Sequence, residues 1–588
     1  MPVSIQAIAN CDDAVLFWSI EQKLEDCLGF AIEREQKLAN GQVQRVTLPN
    51  YTGFAKDDPK SDEHRPSNVW PFQRFSWSDH SVNLGDTVRY RVVPMIHTGG
   101  QLQQQLDERS EWTGWITLTG DAGDTMSSYF NRGLVLSQFM GRYLEDLRVK
   151  EGLATIDDAL KSFKKSLDVH DEPIRLFLAG ALRVEMLQLL KTAKEKGQHV
   201  YGALFELDDE ELVESLKKLG ARAHLVLANG SVQKKKGESP ATARKRDENA
   251  DARQELEHAG VEVHGRFVSP GALAHNKFVV LTDASKTPLA AWTGSTNWTK
   301  TGLCTQINNG LLVSDHDFAQ RYLDQWQLLL KSGSDFPPDL VTSNTGPKLV
   351  AVGQSQNTIW FSRTHGGVDL AAIDACINGA KQAILFLMFQ PGAKAVFDTV
   401  RTRLDHPGNL YIKGVVSTLP PENAKKGDES KVTVRTVADG QVHKPLTLDV
   451  VQPEGLHAYA KAAEEVTRKQ FLSGPGRIGF AIVHSKLIVI DPFTNPVVIT
   501  GSHNFSTAAS ETNDENFVIV RGNRRLAEAY AAHILSVYQH YRWRALSWTK
   551  NAVKKPPQAL LVDDSSWQDR LLKGAARREM DFWAGRPS

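Results

Sequence analysis

Two short stretches of this 588-residue chain carry the groups that could do chemistry. In one, His275 and Lys277 stand two apart at the head of the apolar run FVVL. In the other, His484 and Lys486 stand two apart at the head of LIVI. Such runs read as buried strands, and side chains at i and i+2 of a strand leave the same face. Each stretch therefore projects an imidazole and an ammonium together. A Gly-Ser pair and an amide follow each: Gly294, Ser295 and Asn297 in the first, Gly501, Ser502 and Asn504 in the second. A tight turn with hydroxyl and backbone donors, beside a cation and an amide, suits an anionic tetrahedral group such as a phosphate. A lysine leaving a buried strand also calls for an anionic partner.

The elements that must position these groups form a repeat. From about residue 125, apolar strands alternate with amphipathic helices, the mark of an α/β fold. Leu176, in the run IRLFLAG, precedes His275 by the same interval as Leu385, in AILFLMF, precedes His484. A second strand follows each run, HVYGALFEL in one case and NLYIKGVVS in the other. Gly294 to Asn309 also matches Gly501 to Asn516 in spacing. Two copies of one α/β unit are expected, over 125–342 and 345–550.

The second stretch, HSKLIVIDPFTNPVVITGSHNFS, resembles the phospholipase D superfamily, whose motif is HxK, four residues, D, then GSxN. It matches in full, with Asp491 as the aspartate. The first stretch, HNKFVVLTDASKTPLAAWTGSTNWT, departs at one place: Thr282 stands where the aspartate is expected and Asp283 follows it. The motif aspartates, Asp283 and Asp491, are structural in that family. The resemblance implies two units packed about a pseudo-two-fold axis with both histidines in one cleft. One histidine forms a phosphohistidine while the other protonates the leaving oxygen and then activates water or an alcohol. Lys277, Lys486, Asn297 and Asn504 would spread the transition-state charge with no metal and no cofactor, and Gly294, Ser295, Gly501 and Ser502 would contact the phosphate. Glu515 lies where family members place a carboxylate that orients an imidazole, and the first copy has Asn308 there. In relatives of the tyrosyl-DNA phosphodiesterase type this carboxylate supports the first-half histidine. That analogy assigns His275 as nucleophile and His484 as general acid. His503 and Gln306, close by in sequence, read as bystanders.

Residues 1–120 have another texture. Short aromatic and β-branched runs (Ala14 to Ile20, Leu28 to Glu33, Phe75 to Trp77, Thr87 to Val93, Gly114 to Leu118) alternate with Gly, Asn, Asp and Pro. This predicts an all-β sandwich, similar in texture to a fibronectin III or immunoglobulin-like module, able to hold a protein partner. The tail 551–588, with KKPPQ, Trp567, Arg577, Arg578 and Trp583, reads as an appendage packed on the body. One more segment stands out just before the first histidine strand: Lys234, Lys235, Lys236, Arg244, Lys245 and Arg246 fall in a polar stretch. It reads as a solvated loop, or as a basic flap that steers polyanions.

Composition sets the outer limits. Basic and acidic residues number 69 each, 41% of residues are apolar and 23% charged, so disorder and collagen-like repeats are excluded. The cancelling charge argues against indiscriminate binding to long polyanions. Cys11, Cys27, Cys304 and Cys376 are too scattered for a zinc site or a disulfide framework. The first residues show no export signal and no run is long enough to span a membrane. A cytoplasmic protein is expected, although export that reads no such signal would leave the same sequence. Three functions fit: a nuclease acting on nucleic-acid phosphodiesters, a phospholipase D acting on lipid head groups, and a non-catalytic scaffold. The string GSHNFSTAASETNDEN, similar to the bacterial nuclease branch, and the basic loop favour the first.

Overall fold

The computed structural model describes residues 3–59, 63–133, 137–389, 391–392, 396–405, 410–416, 449–451, 483–546 and 560–585. KKPPQ, at 554–558, lies outside these residues. The chain divides into two compact units: one holds the segment up to Thr119 and that from Leu546 onward, the other holds Gly120–Arg435 and Leu448–Ala545.

The first unit is β-rich. A three-stranded antiparallel sheet joins Val3–Ala9, Ala14–Ile20 and Ser76–Asp79. A second runs Ile116–Thr117, Thr87–Thr98, Cys27–Lys37, Val43–Thr47, with Gln101–Gln104 also paired to Thr87–Thr98. Trp18, Phe30, Phe75 and Tyr90 meet in one core, and Trp567 and Met580 from the C-terminal segment complete it. The indole N–H of Trp567 donates to the carbonyl of Cys27 (2.8 Å), and Trp583 stacks on Phe17 with centroids 4.6 Å apart. The appendage is therefore part of this unit's core. On the outer face of the larger sheet, Arg89 and Arg91 lie over Trp112 and Arg89 and Lys37 over Trp115, while Glu33 and Glu35 pair with the guanidiniums. Interleaved cations and aromatic rings cover a face that would otherwise expose two indoles.

The second unit contains two mixed sheets of eight strands each among the described residues. The first runs Asp121–Gly123, Met126–Phe130, Asn309–Val313, Pro288–Gly294, Lys277–Thr282, His199–Leu204, Ala223–Ala228, Glu262–Arg266. The second runs Lys348–Val352, Ser355–Phe361, Asn516–Arg521, Val497–Gly501, Leu487–Ile490, Ala383–Met388, Tyr411–Val416, Asp449–Val451. The two orders correspond strand for strand. This correspondence corrects the repeat drawn from sequence. IRLFLAG is no strand but the start of the helix Pro173–Glu195, kinked at Gly180. The partner of AILFLMF is HVYGAL, because His199–Leu204 runs antiparallel to the first histidine strand as Ala383–Met388 does to the second. Short apolar runs do not distinguish a buried strand from a buried helix, and equal spacing to the histidines supplied a false match.

Main-chain bonds tie the halves to each other. Asp514 N–H donates to Leu273 O and His275 N–H to Asp514 O; His484 and Ser485 N–H both donate to Ile307 O. Each histidine is thus fixed by backbone from the opposite half. Side chains repeat the exchange: the Asn309 amide donates to Thr500 Oγ1 (2.7 Å), and Thr293 Oγ1 donates to Asn516 Oδ1 (2.5 Å). Arg266 and Asp514 form a buried two-point ion pair across the halves, Nε–Oδ2 2.5 Å and Nη2–Oδ1 3.0 Å.

Candidate active site

Both histidine motifs arrive at one place. The His275 and His484 rings face each other with centroids 6.4 Å apart and planes 73° apart, and both are about 4% exposed. Their outer nitrogens have different partners. His275 Nδ1 meets Glu515 Oε2 at 2.7 Å. His484 Nδ1 meets Ser295 O at 3.1 Å and Asn308 Oδ1 at 3.0 Å. Both partners of His484 are acceptors, so its Nδ1 carries the hydrogen; Glu515 when ionised does the same for His275, and each Nε2 is then left bare in the neutral ring.

The lysines are turned inward and buried. Lys277 Nζ donates to His275 O at 2.7 Å and Lys486 Nζ to His484 O. Each ammonium lies over an aromatic ring that also touches the neighbouring imidazole. Phe205 is 4.8 Å from Lys277 and 4.7 Å from the His275 ring; Phe389 is 4.9 Å from Lys486 and 4.9 Å from the His484 ring. Each phenylalanine immediately follows the strand beside its histidine strand. Sequence reasoning missed both, because the runs had been aligned to the wrong partners.

Burial dominates the electrostatics. It holds His275 well below the usual imidazole range, with Lys277 and Lys486 adding repulsion. His484 is lowered in the same way, by burial and then by the same two lysines. Glu515 is pushed up to about 8 by burial, against the pull of Lys277 and of the Ser502 hydroxyl. Lys277 is brought down to about 7 by burial, against Glu515 and Glu206. Lys486 is lowered by burial and then by Lys277. The centre is a buried cluster of titratable groups in which burial opposes every charge.

The glycines and serines have specific neighbours. A Cβ at Gly294 would meet Asn309 O at 2.2 Å, and one at Gly501 would meet Asn516 O at 2.2 Å, so close strand approach demands glycine at both. Ser502 Oγ donates to Glu515 Oε2 (2.8 Å), and Ser295 Oγ donates to Asn308 Oδ1 (2.8 Å). Each serine thereby braces the residue that orients the opposite histidine. The amide of Asn297 donates to Glu206 Oε2 at 2.5 Å, while its Oδ1 has no partner among the described residues, and neither has Asn504 Oδ1. Asp491 accepts the N–H groups of Lys381, Gln382 and Ala383, tying the end of its strand to the start of the next. Asp283 instead accepts from Ser285 and Thr287 N–H within its own turn.

His503 is buried and has partners of its own. Phe505 N–H donates to its Nδ1 at 3.0 Å, so Nε2 carries the hydrogen and faces Asp369 Oδ2 at 3.3 Å. Burial opposes ionisation of Asp369, yet His503, Ser510 and Thr364 hold its carboxyl at about 2. Gln306 lends its carbonyl to the Asn131 amide (2.6 Å). In the basic loop, Lys234, Lys235, Lys236, Arg244 and Lys245 are exposed, whereas Arg246 pairs with Glu238. Asn249 pins the end of that loop to the strand edge at the site: its amide donates to Phe205 O (2.9 Å) and Ala228 O (2.8 Å), and its Oδ1 accepts from Leu207 N–H (3.0 Å). No helix among the described residues is long and apolar enough to cross a membrane.

The sequence matches the family described as cardiolipin synthase, PLD-like domain, over residues 186–329 and 421–538. No curated protein sequence matches the chain. Among solved structures it is similar to polyphosphate kinase from Porphyromonas gingivalis, at 11% identity over 57% of this chain and 45% of that one, with a TM-score of 0.34. It thus spans less than half of that protein. It is also similar to phosphatidylserine synthase from Haemophilus influenzae Rd KW20, at 12% identity over 68% and 93% of the two chains, with a TM-score of 0.38. A third is Nuc, a phospholipase D family member from Salmonella typhimurium, at 17% identity over 32% and 96%, with a TM-score of 0.21. Both histidine–lysine motifs fall inside the matched segments, and on that match and those motifs the second unit carries a PLD-like domain.

Proposed function

We propose that the chain is a phosphodiesterase that works through a phosphohistidine on His275, with nucleic acid as the substrate. The observation that carries the catalytic part is the unequal bracing of two facing imidazoles: a carboxylate, Glu515, on His275, and a neutral amide and carbonyl on His484. The carboxylate strengthens the lone pair of Nε2 on His275, which attacks phosphorus. The bond from phosphorus to the leaving oxygen breaks, and His484 delivers its Nε2 proton to that oxygen. The charge of the entering phosphate offsets the lysines that depress His484, so this ring enters the cycle as an imidazolium. In the second half-reaction, neutral His484 takes a proton from water, the water oxygen attacks phosphorus, and the P–N bond breaks. Lys277, Lys486, Asn297 and Asn504 carry the equatorial oxygens. These groups supply the needed charge, so the reading requires no metal. The matching strand orders support a pseudo-symmetric pair of units, and the two antiparallel sheets of the first unit support its reading as a fibronectin III- or immunoglobulin-like module.

The nucleic-acid assignment is favoured by the basic loop, whose five exposed cations spring from a base that Asn249 fastens beside Phe205. Cations placed there add the salt-dependent attraction that phosphate backbones supply. The test is turnover of single- and double-stranded DNA, RNA and phosphatidylcholine vesicles in chelator. Chelator-resistant cleavage of nucleic acid, lost in His275→Ala and in His484→Ala, is expected. Head-group release alone would remove the nuclease reading, and strict dependence on added divalent metal would remove the mechanism.

A further inference from the structure

One carboxyl in the site has no part in the mechanism above. Glu206 follows Phe205 at the end of the strand His199–Leu204, partly exposed at the edge of the buried cluster. Its backbone is locked, since Glu206 O accepts from Trp298 N–H (3.1 Å) and the flanking Phe205 O and Leu207 N–H are both held by Asn249. Its side chain is therefore aimed by the fold, and it takes the amide hydrogen of Asn297 at 2.5 Å. That amide belongs to the GSxN turn and is one of the four groups assigned to the phosphate. Both site lysines feel the Glu206 charge. The other half differs: the matching position in sequence is Gln390, a neutral residue that lies outside the described residues.

We propose that Glu206 is a specificity-determining residue, an internal anion that holds the Asn297 donor until a phosphodiester displaces it. The proposal rests on the phosphate-site reading given above and names the class of phosphate the site accepts. Burial pushes the Glu206 carboxyl up to about 7, so at pH 8 it is ionised and already sets a negative charge in the balance with the lysines. A diester brings one negative charge into that balance, and a phosphomonoester or other dianion brings two. In a water-poor site each uncompensated charge is costly. Glu206 thus selects singly charged diesters over doubly charged ends and drives out the monoester product, which carries the extra charge. In Glu206→Gln the side chain keeps its shape and can still accept from Asn297, but the negative charge is gone.

The experiment measures anion binding by calorimetry at pH 8, without turnover, using two probes whose charge is fixed there: dimethyl phosphate, a singly charged diester, and sulfate, a dianion. The expected result is that Glu206→Gln binds sulfate at least tenfold tighter than the wild type and dimethyl phosphate only a few-fold tighter, so that diester selectivity falls. Glu206→Asp, whose shorter arm keeps the charge, should retain most of the wild-type preference against sulfate. A merely structural role would weaken binding or leave it alone. Equal or weaker sulfate binding by Glu206→Gln, with an unchanged circular dichroism spectrum, would overturn the proposal while leaving the phosphate site intact. Failure of all three proteins to bind either anion would overturn the phosphate-site reading, and this inference with it.

Discussion

The two halves of the second unit carry the same motif on the same strand order, yet their histidines sit in different chemical company. His275 is braced by a carboxylate and His484 by a neutral amide and a carbonyl. Each brace comes from the strand entry of the opposite half, and each is steadied by a serine from its own half's Gly-Ser turn. Two halves can thus share a strand order while one difference, Glu515 against Asn308, gives their two imidazoles different partners.

The largest effect should come from removing the imidazoles. His275→Ala and His484→Ala should each lower turnover of bis(4-nitrophenyl) phosphate roughly 10⁴-fold or more. Intact-mass measurement separates them, because the leaving group of this ester needs little protonation. His484→Ala should accumulate a covalent phosphoryl adduct and His275→Ala none; the opposite pattern would reverse the assigned roles. Next in size is the brace itself. Glu515→Gln should reduce kcat about 10³-fold, whereas Asn308→Ala should cost no more than about tenfold in the same assay. Equal losses would mean that the asymmetry has no chemical meaning.

Stability tests the same contrast at the seam between the halves. The Arg266–Asp514 pair is wholly buried, so Arg266→Met alone strands a carboxylate and should cost about 3–5 kcal/mol in denaturant unfolding. The double variant Arg266→Met/Asp514→Leu should recover most of that loss. The smallest effect is expected from pH. His275 is held below its usual range, so this imidazole is neutral at pH 6.5 and above. Lys277 gives up its proton near 7 and Glu515 ionises near 8, so kcat/KM should peak between the two and fall by about tenfold per unit on either side. A profile that keeps rising to pH 9 would show that Lys277 stays charged and that the lysines differ less than their surroundings suggest.

Much of the site could be read directly from the chain, and the reasons are local. His275, Lys277, His484 and Lys486 are legible because i and i+2 on a strand share a face, and Glu515 because it keeps a fixed interval to Gly501. Asn297, Asn504 and the two serines follow from the same short spacing. What escaped lies far apart in sequence or depends on strand pairing. Arg266 meets Asp514 across 248 residues, and nothing in either neighbourhood announces the other. Phe205, Glu206 and Phe389 become visible only after His199–Leu204 is matched to Ala383–Met388, a match that the apolar run IRLFLAG obscured by folding as a helix. In the first unit, aromatic runs and turn residues placed Ala14–Ile20 over its whole expected length, but of Gly114 to Leu118 only Ile116–Thr117 is strand, and Val3–Ala9 and Val43–Thr47 were not foreseen. Its dependence on Trp567 and Trp583 was hidden, since an aromatic residue in a tail does not say which core it completes.

That dependence has a consequence for the order of events during synthesis. Trp567 reaches back 540 residues to Cys27. At ~5–20 residues per second, the early strands wait roughly half a minute to two minutes for the last piece of their core. The second unit, encoded in between, emerges entirely within that interval. Its two histidine motifs can be in place on the ribosome while the β-rich unit, begun first, still lacks the last piece of its core.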